Sequence, residues 1–226
     1  DRVYGDDFTI LGTAVELDKF RKQIKQRFEV EFKARLGGEP GDDSSVFLLN
    51  RPLSWDADGI TYEADQRHVE IMVRDLGLGS NPKVTPIPYV KPTLEEVESP
   101  GAELIGAEAT MYRAIVARAN YLSQDRSDIR YAVKELSRSM SKPTESDMLR
   151  LKRLGKYLAG QPRLVQSFKP QSCTAYLDVW VDTDFAGCLK TRRSTNGGVV
   201  TIGDHVIKHW STTQATVALS SGEAEY

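Results

Sequence analysis

Apolar positions along this chain switch repeatedly between a period of two and a helical period, and the switches outline its elements. Val3-Tyr4 and Phe8-Thr9-Ile10-Leu11 are short β-prone runs flanking Gly5-Asp6-Asp7, which predicts a tight hairpin with acids at its tip. Behind Thr13-Ala-Val-Glu16, which has the form of a capping box, Leu17, Phe20, Ile24 and Phe28 recur at helical spacing. Phe28, Val30 and Phe32 then alternate with charged residues in the manner of a half-buried strand. Val46-Phe-Leu-Leu49 and Gly59-Ile-Thr-Tyr62 predict a strand pair. Asp65 is placed to cap a helix that carries Val69, Met72, Val73 and Leu76 and stops at Gly77.

Residues 79–109 break the pattern. Pro82, Pro86, Pro88, Pro92 and Pro100 fall here beside the acidic Glu95-Glu-Val-Glu98, so the segment reads as a linker or extended arm. Three helices follow. Tyr112, Ile115, Val116, Ala119 and Leu122 line the first, and Ile129, Val133, Leu136 and Met140 the second. The third starts at Thr144 after Pro143, carries Met148, Leu151, Leu154 and Leu158, and ends at Gly160 with Pro162 beyond it. Ala175 to Val181 then alternates as a strand, and Gly198–Ile202 with His205–Trp210 predicts a hairpin turning at Gly203-Asp204. A last helix opens at Ser220. The sum is an α+β fold, with no internal repeat and no low-complexity segment.

Composition narrows the picture only a little. A hydrophobic content of 40% and a charged content of 27% over 226 residues are ordinary for a globular chain of one large or two modest domains. A net charge of -2 gives no support to nucleic-acid binding, although Arg150-Leu-Lys-Arg153 and Lys190-Thr-Arg-Arg193 are local basic clusters. Cys173 and Cys188 lack the spacing of a zinc site. No apolar run approaches the roughly 20 residues that span a bilayer, and no partner in the membrane is expected.

Carboxylates are the candidate chemistry. Asp6 and Asp7 suit a turn, since Gly and Asp tolerate left-handed backbone, but a hairpin tip can equally present them to a metal-bound triphosphate. Asp182 and Asp184 lie two apart in extended chain and so share a face, either as a strand end leaving the sheet or as metal ligands. Glu223 has two readings as well. Ser220-Ser-Gly-Glu223 is a capping box in which Glu223 reaches back to the Ser220 amide, and Glu223 is also a carboxylate on a different element from Asp182, as a shared divalent metal would need. Taken one at a time, the bland readings lead. His205 and His209 read as surface or core residues rather than ligands.

Four stretches taken in order resemble the Pol polyprotein of copia-type LTR retrotransposons. Val3-Tyr-Gly-Asp-Asp-Phe8 resembles the Tyr-x-Asp-Asp box of reverse transcriptases. Tyr112-Arg-Ala-Ile-Val116 through Arg126-Ser-Asp-Ile129, and then Ser137 to Thr144, resemble the block that follows the polymerase. Thr191-Arg-Arg-Ser-Thr195 and Val217 to Tyr226 resemble the opening of RNase H. Val181, Gly222 and the Gly of the Tyr-Gly-Asp-Asp box are minor departures.

The resemblance implies the C-terminal part of a reverse transcriptase over 1–78 (palm hairpin and thumb-like region), a proline-rich linker over 79–109, a helical connection over 110–170 and the start of an RNase H-like sheet over 171–226. It implies that Asp6, Asp7, Asp182 and Glu223 are catalytic metal carboxylates for Mg²⁺ or Mn²⁺, whereas Asp184 and Glu225 do not match the family's ligands. The implied partners are dNTPs, a primed template and an RNA–DNA hybrid, and the implied setting is intracellular, in cytoplasmic particles and the nucleus. Two acids per site cannot form a three- or four-carboxylate cage. The chain, which begins without Met and ends one turn into its last helix, is therefore expected to be a piece of a larger protein and inactive alone. The alternatives are a degenerate or co-opted non-catalytic module that binds nucleic acid or a partner, and an unrelated metal-dependent nuclease, against which the Tyr-Gly-Asp-Asp box argues.

Overall fold

A computed structural model describes residues 2–4, 7–79, 81–172 and 175–226, and of residues 2–4 and 7 it describes the backbone. Helices and strands are mixed along the chain, as the α+β reading requires. The hairpin predicted at the start forms from β1 (Arg2–Tyr4) and β2 (Asp7–Thr9), antiparallel with Tyr4 opposite Asp7. Helix α1 (Ala14–Lys25) carries the capping box of Thr13 and Glu16, but buries no residue.

Four helices build the core. Helix α2 (Arg67–Asp75) brings Val69 and Met72, and α4 (Gly106–Leu122) brings Tyr112, Ile115, Val116, Ala119 and Leu122. Helix α5 (Arg130–Ser137) adds Val133 and Leu136, and α6 (Glu145–Gly160) adds Leu151, Leu154 and Leu158. The predicted apolar stripes are the buried faces, because burying such a stripe is what makes a helix of this length stable. Thr144 and Asp147 complete a capping box at the start of α6. The Tyr112 hydroxyl, buried with its ring, donates to the Leu136 carbonyl at 2.8 Å and so avoids an unpaired polar group in the core.

The first large sheet is antiparallel in the order β3 (Ser45–Leu48), β4 (Arg51–Asp56), β5 (Gly59–Glu63), β6 (Val165–Phe168). Strand β6 follows α6 directly and returns to pair with β5, Ile60 opposite Phe168 and Glu63 opposite Val165. Gly59, at φ +131°, makes that approach feasible, since a Cβ there would meet the Phe168 carbonyl oxygen at 2.3 Å. The proline-rich segment therefore ties together residues that share one sheet and one core. It holds only a short helix, α3 (Leu94–Glu98), yet Leu104 is buried and Tyr89 packs on the core. Proline denies this segment a ladder, but it does not deny it burial.

The last unit is a three-stranded antiparallel sheet, β7 (Asp178–Asp184), β8 (Thr195–Ile202) and β9 (His205–Thr213), with β8 in the middle. The turn falls at Gly203-Asp204 as predicted, with Ile202 opposite His205. Helix α5 packs on β9, and its Lys134 Nζ donates to Thr195 Oγ1 of β8 at 2.9 Å and to Thr213 Oγ1 of β9 at 3.4 Å. The short α7 (Ser221–Glu225) packs on β7 and buries Ala224. No described helix is long and apolar enough to cross a membrane.

Candidate functional site

Strand β7 delivers Asp182 and Asp184 to the same face of the sheet, because alternate residues of a strand point the same way. Their surroundings differ. Asp182 lies opposite Gly197, is exposed, and has no hydrogen-bond or ion-pair partner among the described residues. Asp184, the last residue of β7, is paired with Lys91 Nζ at 2.5 Å. Lys91 comes from the proline-rich segment, so that segment reaches over the end of β7 and neutralises one acid of the pair. Only Asp182 is left available to a ligand.

Glu223 is placed by α7, at the third position of the helix. Its Oε2 accepts the Leu219 amide at 2.7 Å, and its own amide donates to Ser220 Oγ at 3.1 Å. The capping role is thus visible with one change. The carboxylate reaches the amide before Ser220 rather than that of Ser220 itself, since the extended Ser220 (φ -146°, ψ 163°) turns the preceding N–H toward the helix start. The Gln214 amide ties α7 to the sheet by donating to both the Ala224 carbonyl and Asn196 Oδ1.

Asp7 begins β2, with its backbone opposite Tyr4, and Asp6 lies outside the described residues. Among the described residues no group of three or more His, Cys, Asp or Glu side chains comes together to hold a metal ion. The described acids do not themselves fit a divalent metal, and no metal-dependent step follows from their geometry.

Compared along its length, the chain is 34% identical to the Retrovirus-related Pol polyprotein from transposon RE1 of Arabidopsis thaliana, over 99% of this chain and 14% of that protein. It is 33% identical to the Pol polyprotein from transposon RE2 of the same plant, again over 99% of this chain and 14% of the relative. The chain belongs to the retrovirus-related Pol polyproteins of transposons. It spans about a seventh of the length of these two relatives, 14% of each. A shorter relative, the Secreted RxLR effector protein 161 of Plasmopara viticola, is 35% identical over 52% of this chain and 77% of its own length. The Uncharacterized mitochondrial protein AtMg00810 of Arabidopsis thaliana is 30% identical over 71% of this chain and 64% of its own. No family model matches the chain, and no solved structure matches it.

Two features of this Pol segment have no signal in the sequence. The Lys91–Asp184 pair joins residues 93 apart. The Cys188 thiol is half-buried, which pushes its pKa up, but hydrogen bonds from Thr191 and from the Arg138 guanidinium, 2.8 Å away, outweigh burial and bring it down to about 7. Arg138 lies on the helical unit and Cys188 in the β7–β8 loop. Only the packing of that unit against the last sheet brings the two together.

Proposed function

We propose that this chain is the part of a retrotransposon Pol polyprotein, of the copia type, that joins an RNA-directed DNA polymerase to its RNase H. The alignment to the RE1 polyprotein over 99% of the chain is the observation that carries the reading. In this reading Asp6 and Asp7 belong to the polymerase, and Asp182 and Glu223 to the nuclease, each pair joining carboxylates elsewhere in the polyprotein around Mg²⁺ or Mn²⁺. What this chain supplies is position. The β1–β2 hairpin carries Asp7, and a strand with a helix packed on it carries the second pair. The free carboxylate of Asp182 supports its role, and the salt bridge of Asp184 supports leaving that residue out. Glu223 would have to release the Leu219 amide to reach a ligand, a modest cost for an exposed hydrogen bond.

The substrates in this reading are dNTPs on a primed template, and an RNA–DNA hybrid. The isolated 226 residues should show neither activity. In a polyprotein that carries this segment, Asp7→Asn should abolish primer extension and leave hybrid cleavage, and Asp182→Asn should do the reverse. Primer extension that survives Asp7→Asn overturns the polymerase half.

A second reading has its own support. Two much shorter relatives align with this same region over 64% and 77% of their lengths, so the region recurs in proteins that are not full polyproteins. That favours a folded module serving without catalysis. Its mark would be hybrid binding by the 226-residue chain that is unchanged by Asp182→Asn.

A further inference from the structure

His68 stands in the first turn of α2 and faces the last turns of α4. Its Nδ1 lies 3.0 Å from Arg118 Nη1 on α4. A guanidinium only donates, so Nδ1 accepts, and the ring is the neutral tautomer with its proton on Nε2. Nε2 in turn lies 3.9 Å from Asp65 Oδ2, too far for a hydrogen bond. The ring packs on Tyr121 with centroids 4.9 Å apart, and the Arg51 guanidinium of β4 lies 5.0 Å from the centroid of that same tyrosine. A half-buried imidazole is thus the acceptor for one arginine and close to a second.

The charges around the ring are unevenly matched. Arg67 is bound to Asp65 through Nη2 at 2.6 Å, and Arg51 to Asp125 through Nε at 2.7 Å. Arg118 has no carboxylate partner among the described residues, and its described hydrogen bond is the one to His68. The charged groups acting on the ring are therefore Asp65 and Arg67 from its own turn, Arg118 from α4 and Arg51 from β4. Helix α6 meets α2 just past its far end, with Gly155 against Leu76. Burial, the largest cause, holds the imidazole below the usual histidine range; Asp65 opposes it, and Arg118, Arg67 and Arg51 reinforce it. The amino end of a helix also disfavours a cation in its first turn.

We propose that His68 and Arg118 form a pH-sensitive clasp between α2 and α4, closed while the ring is neutral and opened when it takes a proton. A proton on Nδ1 removes the acceptor that Arg118 uses and sets two cations 3.0 Å apart. Arg118, with no carboxylate to turn to, moves out to solvent, and the start of α2 loosens from α4. Val69 and Met72, buried in the core, keep the rest of the helix in place. None of the candidate metal carboxylates takes part, so the clasp is independent of the catalytic reading. Its sign follows from linkage. Above the ordinary histidine value, about 6.5, the ring is neutral in the folded and the unfolded chain. As pH falls through that value the unfolded chain takes the proton first, so stability drops until pH passes the folded value, and this group changes it no further below.

The test compares the 226-residue chain with His68→Gln, whose amide oxygen can accept from Arg118 but takes no proton. Between about pH 7 and 5, above the carboxylate range, the folded-to-unfolded ratio of the parent should fall relative to the variant. The fall should be about tenfold for each pH unit that separates the ring's ordinary and folded values. Over the same range, amide protection in the first turns of α2 should drop in the parent and hold in His68→Gln. The ring ¹⁵N signals of the parent should show the Nε2–H tautomer at neutral pH and titrate below about 6.5, and Arg118→Gln should move that titration up. The ring titration needs no His68 variant, so it decides the matter even if His68→Gln fails to fold. A ring that titrates at or above the ordinary value, a titration that Arg118→Gln leaves unmoved, or α2 protection that drops equally in both chains would overturn the proposal.

Discussion

Replacing Asp128 by Asn should be among the most damaging single changes in this chain, because it strips a buried arginine of its counter-charge. Arg126 is 1% exposed. Its guanidinium donates to both Asp128 oxygens, at 2.9 and 2.7 Å, and to the carbonyls of Gln161 and Pro162 at 2.9 and 3.3 Å. Those carbonyls lie just beyond the end of α6, so Arg126 clamps the helix terminus where β6 begins. The Tyr157 hydroxyl adds a third hydrogen bond to Asp128 at 2.8 Å. Removing one partner of a buried pair costs about 3–5 kcal/mol, since the survivor stays buried and uncompensated. Asp128 retains 21% of its side-chain exposure, and Asn keeps one acceptor, so the low end, about 3 kcal/mol, is expected here. Urea unfolding is the assay. With a slope of about 2 kcal/mol/M, the midpoint should fall by about 1.5 M with the slope unchanged. Burial raises the Asp128 pKa, but Arg126 and Tyr157 outweigh it and hold the carboxyl below its ordinary value. A depressed carboxyl stabilises the fold above its unfolded value and loses that contribution as pH falls through its folded one. The gap between parent and variant should therefore be constant from neutral pH down to the ordinary carboxylate range and shrink below it. A loss under about 1 kcal/mol would place this pair with ordinary surface ion pairs and refute the reasoning.

The Cys188 thiol should be alkylated by iodoacetamide with a pH midpoint near 7, against about 8.5 for an ordinary thiol, and Arg138→Gln should move the midpoint up; a Cys173→Ser background isolates the signal, and an ordinary midpoint there refutes the assignment. Hydrogen exchange should be faster across residues 175–226 than across α4 to α6, because β7 and β9 are open edges and Val179, Trp180 and Val181 are exposed. Equal protection would contradict it. Glu223→Gln should change thermal stability by less than about 0.5 kcal/mol, since Gln retains an acceptor for the Leu219 amide, and a larger loss would show that the charge itself holds α7.

The helical half was legible in the sequence for a simple reason. Tyr112, Ile115, Val116, Ala119 and Leu122 repeat at 3.6, and no tertiary partner is needed to see it. The capping box at Thr13 and the position of Thr144 after Pro143 marked the starts of α1 and α6. Strands were harder. β4 was missed because Arg51-Pro52 and Ser54 dilute its pattern, and it pairs only because β3 and β5 lie on either side. β6 was missed because four residues give too short a window and its partner lies about 100 residues earlier. The alternation of Phe28, Val30 and Phe32 predicted a strand that does not form, since no neighbouring strand offers a ladder there. Local pattern proposes a strand, and only a partner makes one. At the candidate site it was the resemblance of whole motifs, not the spacing of any one acid, that singled out the carboxylates. The lysine that silences Asp184 and the amide that Glu223 takes were not legible, because each depends on where the chain returns.

The central claim is that this Pol segment supplies Asp182, and not its neighbour two residues on, to hybrid cleavage. The direct measurement is RNA cleavage in a labelled RNA–DNA hybrid with Mg²⁺, by a polyprotein that carries this segment, comparing Asp182→Asn with Asp184→Asn. The account predicts that Asp182→Asn abolishes cleavage while Asp184→Asn, which removes only the Lys91 pair, retains most of it. Full cleavage by the Asp182→Asn protein would contradict the claim.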